Sequence, residues 1–172
     1  GIGPGIGTER ITKTLLGQLL ATTDLPLIID ADAINLIASS DKLKAQLPKG
    51  QVIFTPHPKE FERLVCKSNN EYERLEELRE FCRVYQCYMV LKGSHSAIAT
   101  PDGDIYFNTT GNAGMATGGT GDVLTGILTA LVAQGYTLKD ACLLGVYLHG
   151  LAGDLAKETV GEIALIASDV IQ

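Results

Sequence analysis

The sequence lacks any apolar run near the roughly 20 residues that a membrane-spanning helix needs, so we do not expect a transmembrane protein. Cysteine is scarce, and the few that are present show no C-x-x-C spacing. They lie in apolar or periodic segments and are Cys66, Cys82, Cys87 and Cys142. We expect these thiols to be reduced and structural, as in a cytoplasmic protein.

Positive charge is also in short supply, with 14 Lys and Arg against 20 Asp and Glu and a net charge of -6. This balance disfavours a general nucleic-acid binder and a protein that binds anionic membranes. The 172 residues, 45% hydrophobic and 20% charged, predict a single soluble domain over residues 1–172. The chain opens inside a glycine cluster without methionine, so we expect a fragment, a processed chain or a C-terminal domain.

Strand-like and helix-like segments alternate along the chain. The predicted strands are 25–29, 52–54 and 88–91, with a hairpin formed by 97–100 and 105–107. The predicted helices are 8–20 capped by Thr8, 32–39, one from Pro58, 70–86, one from Gly121, and 138–156, which is apolar on most faces. This order indicates an α/β fold with a mainly parallel sheet covered on both faces, whose ligands bind at the carboxyl ends of the strands.

A glycine-rich loop, residues 118–122, runs directly into an apolar helix. Such a loop lets several backbone N–H groups point at one anion, and the helix N-terminus adds partial positive charge. Asp122 could then act as a base on a substrate hydroxyl beside a transferring phosphoryl group. Alternatively, the glycines form a tight turn and Asp122 only complements the helix dipole. The Lys-Ser/Thr ending of a Walker A loop is missing.

Two further polar segments follow predicted strands. Lys92 begins a Lys-Gly-Ser-His-Ser segment whose ammonium and hydroxyl groups could reach phosphate oxygens, although a plain polar turn is the alternative. In residues 55–60, two prolines fix a corner at which His57 and Glu60 could bind a polar ligand. The alternative there is a rigid corner in which Glu60 caps the helix. No zinc site is indicated, because the partners of an H-x-x-E pair are missing.

Three other features have both a functional and a structural interpretation. The glycines of residues 1–7 suggest close approach of the backbone to a ligand, although they do not fit a dinucleotide fingerprint. Asp30 and Asp32 could hold a hydrated magnesium ion or anchor a substrate, or Asp32 could simply cap a helix. His149 lies in an apolar helix and is interpreted as a core histidine with a hydrogen-bond partner.

Taken in order, the motifs resemble one family, the ADP/ATP-dependent NAD(P)H-hydrate dehydratases of the carbohydrate-kinase-like group. The segments that carry the resemblance are residues 3–7, 29–35, 55–60, 92–96 and 111–122. The resemblance covers nearly the whole chain and implies a ribokinase-like fold, a three-layer αβα sandwich. It also implies that ADP or ATP, with Mg²⁺, phosphorylates the ring hydroxyl of hydrated NADH or NADPH. Phosphate then leaves and the reduced cofactor is restored.

The resemblance assigns site residues by their position in these motifs. It implies a nucleotide site formed by Lys92, Gly93, Ser94, His95, Ser96, Asn112, Ala113, Gly114, Met115, Ala116, Thr117, Gly118, Gly119, Thr120 and Gly121. It implies a substrate site at Gly3, Gly5, Gly7, His57 and Glu60, with Asp122 as the catalytic base. A homo-oligomer is expected, because the apolar helices within 121–156 leave room for a subunit interface.

Two departures from the family pattern are visible. Lys59 stands where glycine is usual, and the N-terminal portion of the family domain, which contributes contacts to both ligands, is absent. Two alternatives remain open. One is a small-molecule kinase of the ribokinase superfamily, such as a hydroxymethylpyrimidine or hydroxyethylthiazole kinase. The other is a non-catalytic nucleotide-binding fragment, against which the intact Asp122 argues.

Overall fold

The computed structural model describes residues 1–172. It contains five strands, seven α-helices and two short 3-10 turns, at Ala113–Met115 and Ala167–Val170. The strands are β1 (Leu27–Ile29), β2 (Val52–Phe54), β3 (Tyr88–Leu91), β4 (Ala97–Ala99) and β5 (Ile105–Phe107). The helices are α1 (Arg10–Thr22), α2 (Ala31–Ala38), α3 (Asp41–Ala45), α4 (Pro58–Leu64), α5 (Glu71–Tyr85), α6 (Thr120–Ala133) and α7 (Leu138–Val160).

The strands form one sheet in the order β1-β2-β3-β4-β5. β1, β2 and β3 are parallel, whereas β3–β4 and β4–β5 are antiparallel. Ile2 adds a further parallel bridge to Ile29 at the β1 edge. The predicted hairpin and the parallel part of the sheet are therefore confirmed. Because β1, β2 and β3 run the same way, the polar residues that follow them meet at one edge.

Helices cover both faces of the sheet. Phe54 and Met89 belong to the larger core, which α1 to α5 complete. Ile53 and Val90 alternate with them along the strands and face the second core, which includes Leu128 of α6 and side chains of α7. Strands buried on both faces explain the continuous apolar runs in the sequence. The expected three-layer αβα arrangement is confirmed.

Several predicted boundaries need correction. α1 begins at Arg10 after Glu9, and Thr8 is not its cap, because the N–H of Gly7 is bonded to the Asp32 carboxylate and holds this part of the chain against α2. β1 begins at Leu27, since Pro26 cannot donate a ladder hydrogen bond. The short helix α3 was not predicted at all.

Helix α7 is only partly buried, although its sequence is apolar on most faces. It buries a stripe of small residues that includes Gly145, Gly150 and Gly153, while Tyr147 and Leu155 remain exposed. Small residues allow α7 to pack closely, and the larger apolar side chains are left on the outer face. None of the helices combines the length and apolar character needed to cross a membrane.

We expect Leu128→Ala to lower the free energy of unfolding by about 2–5 kcal/mol, because it leaves a cavity between the sheet and α6. Leu128 is fully buried, whereas Leu155 on α7 is 57% exposed. The matched variant Leu155→Ala should change stability by about 0.5 kcal/mol or less. Urea titrations of both variants measure the difference, and equal effects would contradict the assignment of Leu128 to the core.

Candidate functional site

The glycine-rich loop ends in an open helix N-terminus. Gly119 caps α6 with φ 93°, a conformation that glycine adopts without strain. The first intrahelical bond is donated by Val123 to the carbonyl of Gly119. The N–H groups of Thr120, Gly121 and Asp122 therefore have no acceptor within the chain, and no side chain caps them. Such a set of free donors at the positive end of a helix suits an anion.

Hydrogen bonds from Thr120 and His149 hold this loop in place. The Thr120 hydroxyl lies 2.7 Å from the carbonyl oxygen of Met115 and 2.9 Å from that of Thr117. Nε2 of His149, on α7, lies 2.9 Å from the carbonyl oxygen of Thr120. Since a carbonyl can only accept, this ring nitrogen carries the proton. The expected histidine partner is therefore present, although His149 is half-buried instead of lying in the core.

A second set of bonds ties the preceding segment to α7. The Asp154 carboxylate accepts from the backbone N–H of Gly111 at 2.8 Å and from the Asn112 amide at 3.0 Å. Asn112 also donates to the carbonyl of Gly153 at 2.9 Å, and its oxygen accepts from the N–H of Gly114 at 3.1 Å. These contacts give Asn112 a structural role within the predicted nucleotide segment.

Asp122 is the free carboxylate of the site. It lies in the first turn of α6, is exposed, and makes neither a hydrogen bond nor an ion pair within the chain. Its position therefore allows it to accept a proton from a bound hydroxyl group, next to the free N–H groups of the helix. Complementing the helix dipole is compatible with the same position.

Lys92 is paired with a buried carboxylate. Its Nζ lies 3.0 Å from Oδ1 of Asp30, which is 2% exposed, and Oδ2 of Asp30 accepts from the Thr125 hydroxyl at 2.9 Å. A β-carbon placed on Gly121 would lie 3.3 Å from the same Nζ. The Lys92 ammonium thus lies against the first turn of α6. The backbone N–H of Lys92 also donates to the carbonyl of Pro56 at 2.9 Å, which joins the 55–60 corner to the site.

The predicted magnesium or substrate pair at Asp30 and Asp32 is not supported by these contacts. Both oxygens of Asp30 are engaged by Lys92 and Thr125, and Asp32 accepts from the N–H of Gly7 at 3.0 Å. Asp30, and not Asp32, occupies the cap position of α2, although its side chain makes no capping bond. Each carboxylate is therefore used within the chain.

The 55–60 corner forms a reciprocal helix cap. Nδ1 of His57 accepts from the backbone N–H of Lys59 at 3.1 Å and of Glu60 at 3.4 Å, while the buried Glu60 carboxylate accepts from the N–H of His57 at 2.9 Å. The structural alternative for Glu60 is therefore observed. Nε2 of His57 remains on a half-exposed ring and lies 3.4 Å from Oε1 of Glu60.

The three predicted glycines of the N-terminal segment have different roles. A β-carbon on Gly3 would overlap the carbonyl oxygen of Asp30, so this glycine permits contact between two backbone segments instead of contact with a ligand. Gly7 donates its N–H to Asp32. Gly5 has φ 66°, is exposed and has open space around it, so its backbone is accessible to a ligand.

The remaining predicted residues lie in the turn between β3 and β4 and in residues 113–118, where Ala113, Ala116 and Gly118 are exposed and Gly114, Met115 and Thr117 are half-buried. Gly93, Ser94 and His95 are exposed between β3 and β4, and Ser96 is half-buried. The supporting residues that sequence reasoning missed are Thr125 and Asp154. Thr125 follows Gly121 by one helical turn, which places both on one face, and Asp154 is the only acidic residue between Asp140 and Glu158 of α7. These two patterns are the sequence features from which the supporting roles of Thr125 and Asp154 could have been predicted.

Burial lowers the pKa of His149 from its ordinary value of 6.5, and the nearby Lys92 charge acts in the same direction. The unfolded chain then takes up a proton before the folded one, so we expect the free energy of unfolding to fall as the pH decreases through 6.5. His149→Gln should reduce this pH dependence, whereas the control His95→Gln, in an exposed turn, should retain it. Denaturant titrations between pH 5 and 8 measure the effect. An unchanged dependence in His149→Gln would contradict the assignment.

The chain is similar to known NAD(P)H-hydrate dehydratases. The family model described as NAD(P)H-hydrate dehydratase matches residues 1–172. The ADP-dependent (S)-NAD(P)H-hydrate dehydratase of Neisseria meningitidis is 41% identical, over 98% of this chain and 59% of that protein. The bifunctional NAD(P)H-hydrate repair enzyme of Moorella thermoacetica is also 41% identical, over 99% of this chain and 32% of that protein.

A solved structure agrees with these sequence comparisons. The ADP/ATP-dependent NAD(P)H-hydrate dehydratase from Bacillus subtilis, co-crystallized with ATP and Mg²⁺, superposes with a TM-score of 0.84 and 36% identity. The match covers 98% of this chain and 59% of that one. This chain therefore spans between about a third and three fifths of the length of these relatives. The resemblance expected from the motifs and the ribokinase-like fold are confirmed.

Proposed function

We propose that this chain, which belongs to the NAD(P)H-hydrate dehydratase family, catalyses the nucleotide-dependent dehydration of hydrated NADH and NADPH. The observation that carries the proposal is Asp122, an exposed and unbonded carboxylate beside three free N–H groups at the start of α6. The site thus pairs a proton acceptor with an anion-binding helix end. Phosphoryl transfer to a hydroxyl needs both.

The proposed chemistry replaces a poor leaving group by a good one. Asp122 accepts the proton of the ring hydroxyl while the hydroxyl oxygen forms a bond to the terminal phosphorus of ADP or ATP. The bond from that phosphorus to the bridging oxygen breaks, and the shortened nucleotide departs. The carbon–oxygen bond then breaks and its electron pair leaves with the phosphate. A proton passes from the neighbouring ring carbon to water, and the electron pair of that carbon–hydrogen bond restores the double bond. Phosphate leaves far more readily than hydroxide.

The nucleotide site is proposed at Lys92–Ser96 and residues 112–121. The N–H groups of Thr120, Gly121 and Asp122 would bind phosphate oxygens, and the adjacent Lys92 ammonium would add charge. Mg²⁺ prefers oxygen ligands and keeps several waters, and it neutralises charge on transferring phosphates. Since Asp30 and Asp32 are bonded within the chain, we propose that Mg²⁺ is held mainly by the nucleotide phosphates and water.

The substrate site is proposed on the side of the 55–60 corner. The reciprocal cap fixes the ring of His57 and leaves Nε2 half-exposed, so that Glu60 acts by orienting it. Gly5 offers an accessible backbone from the N-terminal loop, whereas Gly3 and Gly7 shape that loop. The exposed Lys59 of α4 adds a positive side chain that the family pattern lacks at this position.

Location and assembly remain predictions. A cytoplasmic protein is expected from the free thiols, and nucleic-acid or membrane partners are not expected from the net charge of -6. A homo-oligomer would use the exposed apolar side chains of α7, which include Tyr147, Leu148 and Leu155.

We expect Asp122→Asn to slow the return of reduced-nicotinamide absorbance from NADH hydrate by about 10²- to 10⁴-fold, because the proton acceptor is lost. The matched control is Asp140→Asn. Asp140 is likewise the third residue of a helix and exposed, so it shares the dipole effect without lying in the site. ADP and ATP are tested separately with Mg²⁺. Equal rates for both variants would overturn the proposal, and a stable phosphoester of another alcohol would indicate a kinase.

We expect Gly121→Ala to fold normally yet to weaken nucleotide binding by about tenfold, because the added methyl group displaces the Lys92 ammonium. Gly126→Ala is the matched control, since a β-carbon there would meet open space. It should stabilise α6 by about 0.5–1 kcal/mol and leave binding unchanged. Calorimetric titration with ADP measures both variants, and normal affinity in Gly121→Ala would place the phosphates elsewhere.

A further inference from the structure

Asp30 joins three separate elements at the carboxyl edge of the sheet. It directly follows β1, and its Oδ1 bonds the ammonium of Lys92, which directly follows β3 two strands away. Its Oδ2 accepts from Thr125 in the second turn of α6. Because the Thr125 hydroxyl occupies one carboxylate oxygen, the other is directed to Lys92.

The Lys92 ammonium lies where the helix disfavours a cation. Nζ is 3.3 Å from the position that a β-carbon on Gly121 would take, which is beside the first turn of α6. The N-terminus of a helix carries about half a positive charge, which repels the ammonium. A lysine stem also gains entropy and hydration when it moves into water. The carboxylate of Asp30 is the group that opposes both tendencies.

Asp30 does not contact a ligand from this position. Its side chain is 2% exposed, and both oxygens are already bonded within the chain. An ion pair with a buried carboxylate is a weak source of net stability, because desolvation of that carboxylate offsets most of the attraction. The position of Asp30 is better explained by a role in orienting the Lys92 ammonium.

We propose that Asp30 is a positioning residue, which holds the Lys92 ammonium beside the free N–H groups of α6 before a nucleotide phosphate arrives. This inference rests on the proposed function, because it explains how the proposed nucleotide site is kept ready. Without the carboxylate, Lys92 moves into water and must be ordered again on each binding event.

The first test compares binding of ADP, and of inorganic tripolyphosphate as a probe without adenosine, to variants of the full chain. Asp30→Asn keeps the shape and an acceptor for Thr125 but removes the charge. We expect it to weaken binding by about 3- to 10-fold, the cost of ordering one long side chain. Lys92→Met should weaken binding on the order of 10- to 100-fold, and the double variant should match Lys92→Met, because both act through one ammonium.

A second readout follows Lys92 without any nucleotide. Mild lysine acylation, quantified by mass spectrometry, reports how freely each ammonium side chain is exposed. Lys92 should react slowly in the wild type relative to the exposed Lys59, and its rate should rise toward that of Lys59 in Asp30→Asn. The stability control is Thr55→Val, which alters another buried polar side chain that follows a neighbouring strand. It should leave the Lys92 labelling rate unchanged even where it lowers the melting temperature.

The outcomes separate the two proposals. The positioning role is overturned if Asp30→Asn binds ADP as tightly as the wild type, or if Lys92 is labelled at the same rate in both proteins. Either result leaves the proposed function standing. Failure of the wild-type chain to bind either probe overturns the proposed nucleotide site, and the inference with it. Weakened binding together with faster Lys92 labelling supports the inference.

Discussion

The ion pair between the buried Asp30 and the half-buried Lys92 is the contact on which the arrangement of the site depends. It connects the ends of two parallel strands, and through the hydroxyl of Thr125 it also fixes α6 on top of them. A carboxylate that is 2% exposed would be costly to bury without such partners. The same contact sets a lysine ammonium beside a helix N-terminus that repels it. This one interaction therefore supports both the fold and the proposed chemistry.

The glycines around this contact allow backbones to approach one another. Gly3 lets the first residues pass over the carbonyl of Asp30, and Gly121 leaves room for the ammonium of Lys92. On α7, Gly150 gives the Thr110 segment room to pack against the helix, next to the Asp154 bonds that hold the loop. The loop is thus tied down by its side chains and by α7, while the N–H groups at the start of α6 remain free. A preorganised set of donors of this kind needs little rearrangement when an anion binds.

Sequence reasoning predicted the features that local patterns determine. The buried strands, the helix from Pro58 and the glycine loop each depend on a short run of residues, and all are present. The pairing of Asp30 with Lys92 could not be predicted, because the residues are 62 positions apart and meet only through the strand order. A polar residue at the end of a strand has the same sequence pattern whether it binds a ligand or another side chain. For that reason, the sequence left a ligand site and a structural role open both for Asp30 and Asp32 and for the 55–60 corner, and the contacts in the structure show an ion pair at Asp30 and a reciprocal helix cap at His57 and Glu60.

The central claim is that nucleotide phosphates bind between the N-terminus of α6 and Lys92. A crystal structure of this chain with ADP and Mg²⁺ tests it most directly. We expect phosphate oxygens within hydrogen-bond distance of the N–H groups of Thr120 and Gly121 and of Nζ of Lys92, with Asp30 still bonded to that ammonium. Asp122 should remain free beside the terminal phosphate. Phosphates bound at another surface, with the α6 N-terminus unoccupied, would contradict the account.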